Sequence, residues 1–554
     1  FRIGSVSLKG DLPMNLFLLL SAIVILACVL CNRLSSKLGV PTLLAFILLG
    51  MFFGCDGVVK IPFENYTLAQ NICSVALIFI MFYGGFGTNW AQARPVAVKA
   101  TVLSSLGTLG TAGLVGLFCW KVLGLEMLLG FLLGAVIAST DAASVFSILR
   151  SKHLDLKEGT ASLLEVESGS NDPFSYMLTV ILLSLMSGSI SVPAFVYQVF
   201  AQLVYGGVLG VLIALAARKF LQCFRFSTDG FDAVFLVAVA LLSYVLPTLL
   251  GGNGYLSVYL TGILLGNSPL RNKQGLVSFF DGVTGLMQMV LFFLLGLLAF
   301  PSQLPSIAPT ALAVALFLTF VARPVVVFLL MAPFRSSLGQ ILLVAWSGMR
   351  GAASIVFSIL VITDPAEVSL DLYHIVFFIV LFSILLQGSL IPVVAKKLKM
   401  TDSSANVMKT FTDYTDEIPV QFLRSTLTPG HPWVGKALRE LTLPPDSLVV
   451  LLLRQGEKLV PNGSTVLAGG DVLILSGQDG GRIPGVHLYE KTLSHGTDWS
   501  GRPLAALDTG PRLVILIRRG EEVIIPRGDT VLQAGDVLVI NDPEDITPDR
   551  LSPA

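Results

Sequence analysis

EVESGSNDPF, residues 165–174, sets three carboxylates, an amide, two hydroxyls and a proline into a chain that is oily on both sides. GFLLGAVIASTDAASVFSIL (130–149) precedes it and SYMLTVILLSLM (175–186) follows. Of the 554 residues 54% are hydrophobic and only 13% charged, with mean hydropathy +0.80. An ordinary soluble domain has roughly 25% charged residues, so the composition is that of a membrane protein. The formal net charge is zero, which leaves no global field to attract nucleic acid. The six cysteines, Cys28, Cys31, Cys55, Cys73, Cys119 and Cys223, have neither metal-ligand spacing nor the framework of a small secreted domain, and read as helix-packing residues.

A bilayer core about 30 Å thick takes roughly 20 apolar residues per helix. By that rule thirteen spans are expected, near 14–32, 40–58, 69–88, 97–119, 125–150, 160–187, 193–222, 231–250, 254–267, 276–299, 308–333, 338–362 and 372–396. Loops after odd-numbered spans carry sixteen Lys and Arg, against two (Lys60 and Lys121) after even-numbered spans. Basic residues favour cytoplasmic loops, so the N-terminus is expected outside and the C-terminus in the cytosol. Residues 1–13 read as an extension upstream of a natural start at Met14, without the basic region or cleavage site of a signal peptide.

The character changes after Lys399. The expected organisation is a transmembrane domain over 14–399, a polar linker over 400–417, two repeats over 418–480 and 481–545, and a tail over 546–554. The repeat is visible directly, because LVVLLLRQGEKLVPNGSTVLAGGDVLIL (448–475) aligns without gaps onto LVILIRRGEEVIIPRGDTVLQAGDVLVI (513–540), with 14 of 28 positions identical. Each copy is expected to be a small α+β unit, a short helix followed by strands joined at P-x-G turns.

Within the membrane part, Asp141 lies mid-span, where an aspartate costs about 2.5–3.5 kcal/mol even on the most lenient insertion scale. In the next span Glu167 stacks with Asn171 and Ser168 with Asp172 at i,i+4, giving adjoining polar faces, one of which can point at Asp141. Pro173 lacks an N–H and frees the carbonyl of Gly169. Oxygen ligands of this kind suit a small dehydrated cation, and four acids, Asp141, Glu165, Glu167 and Asp172, in consecutive spans read as an ion pathway with Glu165 peripheral. Arg350, in the twelfth span, is the basic counterpart, with a structural salt bridge and a part in gating as its two readings. Arg323, before Pro324, reads as snorkelling to the cytosolic face, and His153 and His374 as solvated groups near membrane edges. DAASVFSIL (141–149) resembles GAASIVFSIL (351–360) with one residue inserted, as in transporters built from repeats with helices broken near the midplane.

STDAASVF (139–146), EVESGSNDP (165–173), GNGYLSVYLTGILLGN (252–267) and GMRGA (348–352) together resemble the signature segments of the cation:proton antiporter family, specifically its bacterial NhaP type. The GDVLIL and GDVLVI strands resemble the C-terminal lobe of potassium-regulatory modules, and the combination resembles the potassium/proton antiporter subfamily. The resemblance implies an all-α polytopic homodimer of thirteen-helix subunits with inverted repeats, broken crossing helices in the fourth and eleventh-to-twelfth region, and a cytosolic α+β domain. It implies a role in pH homeostasis at a bacterial cytoplasmic membrane. Carried over, Asp172 is the residue occupied alternately by K⁺ or Na⁺ and by H⁺, and Asn171 is its structural neighbour. Ser168, Thr140 and Asp141 complete the coordination, while Glu167 and Arg350 form a buried ion pair. Relatives often have an acid in the third-span motif where this chain has Tyr83, which puts any ion contact there in doubt.

A ligand-gated cation channel is the rival from another class, but there is no TVGYG-type filter. An enzyme is not expected, since no zinc-type His cluster, nucleophile elbow or phosphate loop occurs. No cofactor is expected; G-x-G-x-x-G is absent, so the dinucleotide-binding half of a full regulatory module is not expected and NAD is not implied. Some relatives of the cytosolic lobe bind cyclic di-AMP, which makes that nucleotide the candidate regulator against the bland alternative of a dimerisation clamp.

Overall fold

The computed structural model describes residues 22–31, 42–63, 65–141, 144–145, 148–149, 154–188, 191–224, 230–270, 273–366, 370–402, 420–443, 448–454, 457–459, 461–478, 488–493, 499–507, 513–519, 522–524 and 526–541, with Leu19, Arg33 and Val368. The expected extension 1–13, His153, the linker beyond Asp402 and the tail 546–554 lie outside them. The chain divides into two units, Phe1–Asp416 and Glu417–Ala554.

The first unit is helical. Its helices are α1 (Ala22–Cys31), α2 (Thr42–Phe53), α3 (Tyr66–Gly87), α4 (Ala97–Lys121), α5 (Met127–Val136), α6 (Thr160–Met186) and α7 (Val192–Cys223). There follow α8 (Phe231–Leu249), α9 (Gly254–Gly266), α10 (Lys273–Leu297), α11 (Pro301–Phe334), α12 (Leu338–Trp346), α13 (Ala352–Thr363) and α14 (Leu372–Lys397). Every expected range contains described helix, and seven helices among the described residues are long and apolar enough to cross a membrane. The 27-residue α6 is long enough, but its polar run keeps it less apolar than those seven.

Lipid gives little hydrophobic drive to helix pairing, so close backbone approach at small residues supplies the contact. A Cβ on Gly262 of α9 would overlap the Phe82 carbonyl of α3, and one on Gly296 of α10 would overlap the Ile47 carbonyl of α2. On α5 a Cβ on Gly134 would overlap the Ala112 carbonyl of α4. These pairs are packed backbone to backbone.

Among the described residues two spans are interrupted: the fifth, where the fourth was expected, and the twelfth, within the expected eleventh-to-twelfth region. The chain leaves α5, runs without helix through residues 138–141, and is helical again at Ser144–Val145 and Ile148–Leu149. Likewise residues 348–351 run without helix between α12 and α13. The two stretches cross, and the Asp141 N–H donates to the Met349 carbonyl (2.8 Å). Glycine makes the approach possible: a Cβ on Gly351 would overlap the Asp141 carboxylate, and one on Gly348 would lie 2.7 Å from Arg323 Nε. The similar segments 141–149 and 351–360 thus both follow a break, with helix described again at 144–145 and 148–149 after the first and over Ala352–Thr363 after the second.

A two-residue sheet closes one end of this unit. Strand β1 (Asp155–Leu156), just before α6, pairs antiparallel with β2 (Thr401–Asp402), just after α14, and the Lys157 N–H donates to the Met400 carbonyl (2.9 Å).

Among the described residues the second unit holds two four-stranded antiparallel sheets of the same topology. The strands are β3 (Val420–Thr426), β4 (Leu448–Arg454), β5 (Glu457–Leu459), β6 (Val472–Gln478), β7 (Leu488–Thr492), β8 (Leu513–Arg519), β9 (Glu522–Ile524) and β10 (Val537–Asn541), in orders β3-β6-β4-β5 and β7-β10-β8-β9. Each sheet has its own core, around Leu452, Leu467 and Leu473 in one and Ile517, Leu532 and Leu538 in the other. The repeats begin with a strand, and the expected short helix is only a 3₁₀ turn, Leu438–Glu440 and Leu504–Ala506. In the first copy the Leu438 and Arg439 N–H groups donate to the Thr465 and Gly463 carbonyls. One charged pair recurs in both copies. Arg454 donates from Nε and Nη2 to Asp471 (2.8 and 2.7 Å), and Arg519 makes the same two bonds to Asp536 (2.8 Å each).

Candidate functional site

The crossing of the interrupted spans gathers most of the residues singled out from the sequence. A break in a helix leaves carbonyls and N–H groups without their i→i−4 partners, and in lipid each needs another. Arg350 supplies them on one side: its Nη1 donates to the Ala138 (2.6 Å) and Ser139 (2.8 Å) carbonyls at the end of α5, while its own N–H donates to Ser383 Oγ (3.0 Å). On the other side, Ser168 Oγ of α6 donates to the Thr140 carbonyl (2.7 Å), and Asn171 Nδ2 donates to Thr140 Oγ1 (2.6 Å). Asp141 turns back on its own chain, accepting from the Ser144 hydroxyl (2.5 Å).

Asp172 stands next to this network. It accepts a hydrogen bond from the Ser139 hydroxyl and lies in the field of Asp141. Ser139, Thr140, Glu167, Ser168, Asn171 and Arg350 are buried, whereas Asp172 and Asp141 retain partial exposure. Asn171 Oδ1 is buried and, among the described residues, finds no donor. Two carboxylates and the Asn171 amide oxygen thus lie beside a cluster of hydroxyls. The chemistry on offer is binding a cation or a proton, since all donors are hard oxygens. No group of three or more metal-binding side chains occurs among the described residues.

Four expectations from the sequence give way to other contacts. Glu167 pairs with Arg323, not Arg350, through Nη2 at 2.5 Å. Arg323 accordingly does not snorkel: it is 3% exposed, facing Glu167 at 1%. Arg350 still lies in the field of both, but its position inside the second break points its guanidinium at the bare carbonyls of the first. Third, α6 passes through Pro173 without interruption. The carbonyl taken up from outside is that of Pro173, bonded by Asn253 Nδ2 of α9 (2.8 Å), while Gly169 is covered by the Tyr259 ring. His374 is likewise buried, not solvated. Its Nδ1 bonds Asp371 (2.7 and 2.8 Å), and its Nε2 accepts from the Phe300 N–H (3.1 Å).

Sequence reasoning passed over Ser139 as a ligand-side group and Arg323 as a core ion. Ser139 was legible as the first residue of STDAASVF; nothing in ARPVV distinguishes a buried arginine from an interfacial one. Glu165 is half-buried and close enough to Tyr259 for their charges to interact. Tyr83, standing where relatives often carry an acid, donates its hydroxyl to Asp281 of α10 (3.1 Å).

Comparison with known proteins is consistent with this geometry. A family model described as sodium/hydrogen exchanger, transmembrane, matches residues 21–397, and a TrkA-C domain model matches residues 422–481 and 488–543. The chain is 31% identical over 472 residues to a protein named K(+)/H(+) antiporter NhaP2 from Shewanella baltica, covering 84% of this chain and 81% of that one. It is 34% identical over 460 residues to K(+)/H(+) antiporter NhaP from Alkalimonas amylolytica, covering 82% and 79%. Among solved structures, the sodium proton antiporter MjNhaP1 from Methanocaldococcus jannaschii at pH 8 superposes with a TM-score of 0.60 at 26% identity, over 67% of this chain and 99% of that one.

Proposed function

The chain belongs to the sodium/hydrogen exchanger family, and from that premise we propose that it is a K⁺/H⁺ antiporter in which Asp172 holds either the cation or the proton. K⁺ is the preferred cargo because the relatives matched over both units are named for it, while the Na⁺/H⁺ relative from Methanocaldococcus jannaschii covers 63% of the chain. The observation that carries the reading is the placement of Asp172 and Asp141 at the crossing, partly exposed, against a wall of buried hydroxyl, amide and arginine groups.

Exchange follows from charge. The crossing holds Arg323, Arg350, Glu167, Asp141 and Asp172, so with all five ionised the set carries one negative charge in excess. Binding either one K⁺ or one H⁺ brings it to zero. A neutral core can change its exposure within the bilayer, whereas an uncompensated carboxylate there carries a penalty of several kcal/mol. Loaded forms therefore cross and the empty form does not, which makes exchange obligatory and one-for-one. Ser139 orients the Asp172 carboxylate, Asn171 offers an amide oxygen from the next position, and Arg350 and Ser168 hold the unwound strand in place. The two half-helices form the moving element, as expected of transporters with discontinuous spans.

Regulation by the cytosolic unit has a physical route. The chain leaves α14 through β2, and β2 is bonded to β1, the segment that leads directly into the first turn of α6. Tension on the chain beyond Asp402 is therefore delivered to the helix that carries Asp172. The ligand class proposed for the tandem repeats is a nucleotide, with cyclic di-AMP as the first to try; thermal stabilisation of the full-length protein by that nucleotide is the expected result. We place the protein in a bacterial cytoplasmic membrane as a dimer, N-terminus outside, on the strength of the loop charges and the family resemblance.

The test is exchange in proteoliposomes, read by dequenching of a pH-sensitive dye on adding K⁺ or Na⁺. Asp172→Asn is expected to abolish cation-driven proton flux while the protein still elutes as the wild type. Robust flux in that variant would reject the assignment.

A further inference from the structure

Helix α10 carries a carboxylate that the exchange site does not use. Asp281 lies eight residues from Lys273, where the helix begins, or roughly 12 Å along its axis, which is inside the apolar layer for a spanning helix. It is exposed on the subunit. No Lys, Arg or His pairs with it among the described residues; its partner there is the Tyr83 hydroxyl (3.1 Å), from a side chain that is itself 4% exposed. Ser278, Asp281, Thr284 and Gln288 follow one another at helical spacing, so they form a polar stripe down one side of α10. Thr284 Oγ1 is buried and has no hydrogen-bond partner among the described residues.

The pair borders open space. A Cβ added to Gly84, next to Tyr83, or to Gly282 or Gly285, beside Asp281, would meet no atom within 4 Å. A chain of contacts also links the helix of Tyr83 to the exchange site. Two residues on, Gly85 abuts the Tyr259 carbonyl of α9, and the Tyr259 ring covers Gly169, one turn before Asp172. An unpaired aspartate facing lipid at this depth would be costly, whereas one facing water beside a cation site concentrates cations.

We propose that Asp281, oriented by Tyr83, is a cation-gathering carboxylate on the aqueous approach to the exchange site. It acts on capture and not on the exchange step: its charge raises the local concentration of K⁺, and the stripe below it offers hydroxyl and amide oxygens to a partly hydrated ion. The proposal rests on the antiporter reading and adds to it a residue that determines apparent affinity.

The experiment uses the full chain in proteoliposomes. Asp281→Asn is expected to raise half-saturating K⁺ several-fold, the effect of removing one through-space charge, with a smaller change in maximal rate. The difference should shrink in high choline chloride, because screening removes a through-space effect, and Asp281→Glu should restore the wild-type value. A merely structural loss would be independent of salt. Unchanged half-saturating K⁺ in Asp281→Asn overturns the proposal. In parallel, Asp281→Cys in a background with the six native cysteines replaced is treated with a cationic, membrane-impermeant thiol reagent. Modification in intact membranes supports the aqueous approach; protection until the membrane or dimer is disrupted shows that lipid or a second copy covers the face, and refutes it. Absence of cation-dependent proton flux in wild-type vesicles would sink the antiporter reading separately, and the labelling result would still decide whether water reaches Asp281.

Discussion

Truncating Arg323 tests the arrangement of the core directly. Glu167 and Arg323 are 1% and 3% exposed and meet at 2.5 Å, so Arg323→Met leaves a carboxylate buried in a medium that cannot solvate it. Removing one partner of a buried pair costs about 3–5 kcal/mol, whereas replacing both by apolar side chains of similar volume is often near neutral. Arg350 remains in the vicinity and can take up part of the lost compensation, which puts the expected cost of Arg323→Met near the lower end, about 3 kcal/mol. The double variant Arg323→Met with Glu167→Met should recover about 2 kcal/mol of that, within the range that contacting residues show in such cycles. The measurement is thermal unfolding of the purified full-length protein for both single variants and the double variant, with a matching cycle for Glu167 and Arg350. The coupling is expected to be large with Arg323, which contacts Glu167 at 2.5 Å, and small with Arg350, whose Nη1 is directed at the Ala138 and Ser139 carbonyls. A larger coupling between Glu167 and Arg350 would refute the pairing and restore the one the sequence suggests.

Gly351→Ala is expected to give a folded protein with exchange reduced at least ten-fold, because the added methyl would overlap the Asp141 carboxylate and push the two unwound strands apart; wild-type rates in the dye assay would contradict that contact. In the cytosolic unit, the Arg454 and Arg519 guanidiniums, through their hydrogen bonds, hold the Asp471 and Asp536 carboxyls below the ordinary carboxylate value, with burial opposing and the Ala468 and Gln533 N–H groups assisting. A carboxyl depressed in the folded state contributes stability that is full above its unfolded value near 4 and lost as pH falls through the folded value. This unit should therefore hold its melting temperature down to about pH 4–5 and lose it below, as followed by circular dichroism. Arg519→Met, which leaves Asp536 at 1% exposure without its cation, should cost about 2–3 kcal/mol, and an unchanged melting temperature would show that backbone donors alone satisfy the carboxyl.

Much of this molecule is set locally. Hydropathy over windows of about 20 residues placed helix in every expected range, because a segment in lipid must satisfy its backbone internally whatever its neighbours are. The 65-residue repeat likewise determined that the second unit would hold two copies of one sheet, since identical alternation buries identical faces. The polar run in α6 and STDAASVF announced that ionisable groups meet inside the membrane, and the tertiary structure brings Asp172, Asn171, Ser168, Thr140 and Asp141 to one crossing.

The pairing of charges was settled elsewhere. A carboxylate such as Glu167 attracts any guanidinium, and which one reaches it depends on where helices α11, α12 and α13 fall around α6, a matter of backbone contact at Gly348 and Gly351 that no local pattern encodes. For the same reason the partner of Tyr83 could not be read in its own motif: Asp281 is 198 residues away in sequence, and only the packing of α10 against α3 sets the phenol and the carboxylate side by side.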